Sequence, residues 1–279
     1  MGTPNAVGDW SSEMEVNAFR RLFPLRYYER HLSESARYYC VPWSVCLAFC
    51  LSGAVASSDG SALAKIGSTT MLAAIKMEVM TPPVDSPEDG SIAVELHMHP
   101  ICSPVVRPGR PAEVAPVISK QLFDSLLSSG MIDLKELSLI KGKAAWMVYL
   151  DIYCLDADGA LFDAALLSAV AAFSPLHIPV VSLNDEGRMV MVSEELEGEK
   201  LDKEPELHLA DPTFEEESIM ETFMTVVLNL SGQLVSLYKP GGPVLAHTSA
   251  IQECVALTRQ RTKELKEIID EAISTMQID

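Results

Sequence analysis

Residues 144–173, AAWMVYLDIYCLDADGALFDAALLSAVAAF, constrain the fold more than any other stretch of this chain. The run 145–154 is apolar and rich in aromatic and β-branched side chains, as a buried strand is. Asp156-Ala157-Asp158-Gly159 interrupts it with turn chemistry. Leu161, Ala164, Ala165, Ala169 and Ala172 then recur at helical spacing. The segment reads as strand, tight turn and helix, and the alanines let that helix lie close against a sheet. A helix N-terminus placed just beyond a strand often holds phosphate, because its free N–H groups and its dipole favour anions. Here the turn offers carboxylates and apolar groups where such a ligand would need donors.

With 279 residues the chain can bury one large core or two packed halves. Hydrophobic residues make up 48% and charged residues 22%, which is the composition of a globular protein. The net charge of −18 argues against autonomous nucleic-acid binding, since phosphate contacts need clustered Lys and Arg. If the chain works on RNA, neighbours must supply the positive field. Cys40, Cys46, Cys50, Cys102, Cys154 and Cys254 fall in apolar stretches without a paired framework, and no signal peptide precedes them. Reduced thiols in a nuclear or cytosolic protein are therefore expected. Residues 43–56 are apolar but too few to span a bilayer, so no membrane association is expected.

Taken in order, residues 13–36 predict two short helices split at Pro24. Residues 61–65 and 71–80 predict a hairpin turning at Gly67-Ser68, and 91–99 alternate as a strand. Residues 113–129 predict an amphipathic helix, and 133–140 lead into the central strand. Two short strands are expected within 179–192, a solvated loop over 193–206 and an acidic turn at 211–217. A second hairpin turns at Ser231-Gly232, and 244–276 predict a long helix carrying Ile251, Val255, Leu265 and Ile268 on one face. The order predicts an α/β (α+β) sheet-and-helix protein of two βαβ-type halves. The expected division is 1–53 as an N-terminal helix and apolar segment, 54–177 as the first half and 178–279 as a truncated second half.

Several motifs agree in order with one family. Residues 58–70 (SDGSALAKIGSTT) resemble the first hairpin of the RNase PH family, and 149–159 (YLDIYCLDADG) resemble its central strand. Ala210-Asp211-Pro212-Thr213 with Glu215-Glu216-Glu217-Ser218 is similar to its second-half acidic turn. Leu237-Tyr238-Lys239-Pro240-Gly241-Gly242 resembles the eukaryotic exosome ring subunits, those of ribosomal RNA processing in particular. The resemblance implies an RNase PH-like fold and a place in a hetero-oligomeric ring around an RNA channel. The implied partners are other RNase PH-like ring subunits, cap subunits of the S1/KH type and RNA through the assembled complex. The implied setting is nucleus, nucleolus and cytoplasm, in RNA processing and decay that includes rRNA maturation.

Active members of that family are phosphorolytic 3′→5′ exoribonucleases, which must hold two anionic groups together with Arg, Ser/Thr and backbone donors. They carry Gly-Thr-Arg just after the central strand, where this chain has Ala160, Leu161 and Phe162. They also carry two Asp six residues apart in the second half, where this chain has Glu217 and Phe223. The resemblance therefore implies a non-catalytic scaffold subunit with no catalytic residue, cofactor or metal. The alternatives are an active phosphorolytic exoribonuclease and a free-standing small-molecule enzyme, which a deep pocket with converging polar groups would favour. Arg107 and Arg110 match a loop that faces the channel in the family and are the candidate RNA contacts, against a plain solvated loop.

Other residues have blander readings. Asp156 and Asp158 are explained by a turn before a helix more simply than by metal binding. His97 and His99 with Cys102 suggest zinc but lack an evident fourth ligand. Cys154 is expected as a core thiol. Two departures from the family stand out: the apolar stretch 37–46 replaces an Arg-Pro-Asp-Gly-Arg motif, and 193–209 are too few and too polar for the two strands expected there. A missing strand exposes sheet edge and core surface, so this chain is expected to fold poorly alone or to assemble badly.

Overall fold

The computed structural model describes residues 14–15, 18–19, 22–23, 26, 49–109, 112–178, 181–183, 190–192, 199–200, 214, 217, 223–229, 231–241 and 248–276. Its first half is a mixed sheet ordered β1 (Phe49–Ser52), β2 (Gly60–Ile66), β3 (Thr69–Met80), β6 (Ala144–Asp156) and β4 (Ser91–Met98). A short β5 (Ser138–Ile140) pairs with β6 off this path. β2 and β3 form the expected hairpin around Gly67, whose φ of 64° a glycine adopts freely. β4 and β6 run parallel, joined through helix α1 (Val114–Ser128), which makes a βαβ unit.

Alternation along β3 and β6 sends one set of side chains inward, among them Met71, Ile75, Val148, Leu150 and Ile152. Helix α2 (Leu161–Phe173) lies across β2 and β3 on that inner face, beside α1, which packs on β4. Every residue of α2 from Phe162 to Phe173 is buried, so the helix is enclosed on all sides rather than amphipathic. Its alanines allow very close approach: a Cβ placed on Gly60 would stand 2.6 Å from the Ala172 carbonyl oxygen. Among the described residues, α1 and α2 lie on one face of the sheet. The central strand, expected to be buried, therefore leaves Tyr149, Tyr153 and Leu155 exposed on its other face.

The second half contributes antiparallel pairs: β7 (His177–Ile178) with β10 (Glu199–Lys200), β8 (Val181–Leu183) with β9 (Val190–Val192), and β11 (Thr225–Leu228) with β12 (Leu234–Tyr238). Helix α3 (Thr248–Met276) packs against β1 and β11, with Thr258 and Leu265 buried. Two expectations change. The polar run 193–206 contains strand β10, and the uncharged N-terminal stretch supplies β1, an edge strand that lacked any alternating signal. The expected split at Pro24 lies outside the described residues, as do residues 37–48.

Candidate functional site

The place where a phosphate would be expected is the junction between β6 and α2. Gly159 (φ 82°) and Ala160 (φ 46°, ψ 37°) turn the chain through two successive left-handed residues. Ala160 is the one non-glycine residue with positive φ among those described, and its Cβ makes that conformation costly. The backbone here keeps a glycine-type turn without the glycine. Thr69, 1% exposed, locks it from the neighbouring hairpin. Its hydroxyl donates to the Gly159 carbonyl oxygen at 2.7 Å and accepts the Asp158 N–H at 2.8 Å. Ala157 N–H donates to the Cys102 carbonyl oxygen at 3.0 Å, and Ala164 N–H donates to Ala160 to begin the helix. Substituting Ala160→Gly is expected to raise stability by about 0.5–1 kcal/mol, because relief of the left-handed strain outweighs the entropy of the unfolded glycine. Urea denaturation measures it, and an unchanged or lower midpoint contradicts the strain.

The Ala160 N–H, at the head of α2, donates to Glu217 Oε1 at 2.8 Å. A carboxylate from the second half of the chain therefore occupies the position where an external anion would meet this helix. Burial is the main reason that Glu217 is held above the usual carboxylate range; the Ala160 bond pulls it down and Asp158 pushes it up. Asp163 lies in the first turn of the helix and is buried. An incoming phosphate would have to displace Glu217 and face Asp158.

The sign of the Glu217 shift sets a pH dependence. Because its pKa is higher folded than unfolded, ionising it weakens the folded state. That loss is absent below the ordinary glutamate pKa of about 4.3 and grows as pH rises through the folded value. Glu217→Gln keeps an acceptor oxygen and removes the charge. It is expected to melt above the wild type near pH 7, with the difference closing below about pH 4. Glu217→Ala removes the acceptor and is expected to melt below Glu217→Gln at both pH values. A Glu217→Gln variant with no pH-dependent advantage contradicts the burial.

The other positions singled out from the sequence are scattered. Leu161 is partly exposed and, with Gly159, Ala157, Phe214, Arg107 and Glu113, lines a cavity of about 420 Å³ beside the turn. Arg107 is the one cation among its described lining residues, and Glu113 the one carboxylate. Arg107 is exposed; Arg110 lies outside the described residues. Phe162 points the other way, 7% exposed within the core, while Phe223 is 58% exposed ahead of β11. Asp156 and Asp158 belong to no group of metal-ligand type among the described residues. His97 and His99 do not join Cys102. Their rings stack along Tyr153 on the outer sheet face, whereas Cys102 is 3% exposed in the core. Cys154 is buried beside it, its thiol pushed up to about 12 by desolvation first and the Cys102 thiol second, so it is inert as a nucleophile. The contact between Glu217 and Ala160 escaped sequence reasoning because it spans 57 positions.

Comparison with known proteins places this geometry. Residues 48–179 match the model of domain 1 of the 3′ exoribonuclease family, and 200–261 match that of domain 2. The exosome complex component rrp43 of Schizosaccharomyces pombe is 32% identical over 217 residues, covering 74% of this chain and 80% of the relative. The exosome complex component Rrp42 of Methanopyrus kandleri is 32% identical over 227 residues, covering 78% and 84%. A chain from the Archaeoglobus fulgidus exosome with RNA bound to the active site superposes with a TM-score of 0.63 at 25% identity, covering 78% of this chain and 86% of that one. Matched through both of its domains and along most of its length, this chain belongs to the 3′ exoribonuclease family, with the RNase PH fold.

Proposed function

We propose that this chain is a non-catalytic ring subunit of an exosome complex, acting in 3′→5′ RNA processing and degradation. The relatives named as exosome complex components support the assembly. The observation that supports the absence of catalysis is the placement of Phe162, 7% exposed within the core, beside a helix head whose Ala160 N–H is already taken by Glu217. Phosphorolysis needs positive charge and donors at that place, and this chain supplies its own anion there. Apolar side chains stand where hydroxyl and guanidinium donors belong: Leu161 lines the cavity and Phe162 fills core. The function then resides in surfaces that meet related subunits. Cap subunits of the S1/KH type and RNA in the channel are the further partners, with Arg107 and Arg110 as RNA contacts. Nucleus and cytoplasm, with the nucleolus for rRNA maturation, are the corresponding sites of action. Among the described residues, no helix is long and apolar enough to cross a membrane.

Among the described residues, the cavity beside the turn is the feature that favours the small-molecule reading. Its walls are mostly apolar, with Arg107 and Glu113 as the charged members, and they lack the convergent polar groups that orient a substrate. Co-expression with related ring chains, followed by affinity purification and mass spectrometry, tests the proposal. A stoichiometric hetero-oligomer is expected; a chain recovered only as a monomer overturns it.

A further inference from the structure

The uncovered face of the sheet carries a group of side chains that the scaffold reading does not use. Glu95 on β4 and Asp151 on β6 are direct partners in the parallel register, so two carboxylates face each other across one rung. Like charges opposed in this way destabilise a sheet unless something between them offsets the repulsion. His97, two residues along β4 and on the same face, brings its Nε2 to 3.8 Å from Glu95 Oε2 and 3.7 Å from Asp151 Oδ1. One ligand atom from each of the three lies within 4.8 Å of the other two. The His97 ring is oriented by stacking on Tyr153, its register partner, at 4.9 Å between centroids. His99 stacks against the same tyrosine at 6.2 Å.

From this juxtaposition we propose that Glu95, His97 and Asp151 form a binding site for a divalent first-row metal ion, of the Mn²⁺ to Zn²⁺ class. One imidazole and two carboxylates on neighbouring strands form a three-ligand set of the kind that leaves further positions to water. In a tetrahedral site with bonds of about 2.1 Å the ligand atoms stand about 3.4 Å apart, so the two separations from His97 must shorten by a few tenths of an ångström, and the two carboxylates, which lie within 4.8 Å of each other, must close by side-chain rotation. The ion neutralises the facing carboxylates and ties β4, which ends the sheet order, to the central strand. The site draws on the turn, the cavity and the β6–α2 junction for no ligand, and it stands whether or not the chain is catalytic. It also replaces the zinc set suggested by sequence spacing, because the pleat puts Cys102 inside and Asp151 beside the histidine.

Mn²⁺ is the discriminating probe, since thiolates take it up poorly and the chain has six cysteines. The full chain is titrated with Mn²⁺ while free ion is counted by electron paramagnetic resonance, and Zn²⁺ is added as competitor. One saturable Mn²⁺ per chain is expected, displaced by Zn²⁺. Affinity falls at least about tenfold in Asp151→Asn and in His97→Ala and is unchanged in His177→Ala. Melting temperature rises with added Mn²⁺ in the wild type and not in Asp151→Asn, the variant that keeps the shape of the site. Absence of a saturable site, or equal binding by wild type, Asp151→Asn and His97→Ala, overturns the proposal as diffuse attraction to an acidic surface.

Discussion

Gly60→Val is expected to remove most of the stability of the fold. The glycine opens β2 beneath the last turn of α2. The first carbon of any side chain there would meet the Ala172 carbonyl oxygen at 2.6 Å and Leu176 Cδ1 at 3.3 Å. The carbonyl belongs to helix backbone and cannot rotate away. The helix must lift off the sheet or β2 must bend, and α2 is packed all round from Phe162 to Phe173, so either movement opens voids elsewhere. Overpacking of this kind costs about 1–3 kcal/mol when a side chain can yield, and more when backbone must move, against about 5–15 kcal/mol for a whole domain. Gly60→Ala should show a smaller loss, because it lacks the two methyl groups of valine. Urea midpoints of the two variants measure the effect. A Gly60→Val chain as stable as wild type would mean that α2 does not lie where the structure puts it.

The second large effect concerns attempted repair of the ancestral chemistry. Phe162→Arg restores the residue type that active members carry after the central strand, yet it is expected to destabilise the chain and to confer no activity. Phe162 is 7% exposed and part of the core, so its replacement buries a guanidinium. Asp163 is adjacent in the helix and faces a different direction, so it gives no ready partner. An unpaired buried charge costs about 3–5 kcal/mol. Even a folded variant would still present Glu217 at the helix head, with the exposed Phe223 supplying no acid. The prediction fails if Phe162→Arg folds normally and releases nucleoside diphosphates from RNA in the presence of phosphate.

Much of the first half could be read from period alone. The alternation of Ser91–Met98, the spacing of Val114–Ser128 and the strand–turn–helix junction each follow from local chemistry, and they appear within a few residues of where the pattern puts them. What could not be read depended on partners far along the chain. β1 has four residues, FCLS, with no alternation, and it becomes a strand because β2 offers an open edge. β10 sits in a charged run and exists through its pairing with β7. The exposed face of β6 was hidden because Tyr149, Tyr153 and Leu155 look like core in sequence. At the site, the resemblance pointed to Ala160, Leu161 and Phe162 as one set. The turn sends Leu161 to the cavity and Phe162 to the core, a division that the helix phase decides. The capture of the Ala160 N–H by Glu217 required the docking of the two halves.

On the proposed reading the head of α2 is filled by the protein's own carboxylate and performs no phosphoryl chemistry. The deciding measurement is phosphate-dependent release of ADP from oligo(A) by the purified full chain, with Mg²⁺ present and Glu217→Ala beside it. Release at background is expected for both proteins, because removing Glu217 vacates the helix head without supplying a cation. ADP release that scales with phosphate concentration in the wild type, and is lost in Glu217→Ala, would contradict it.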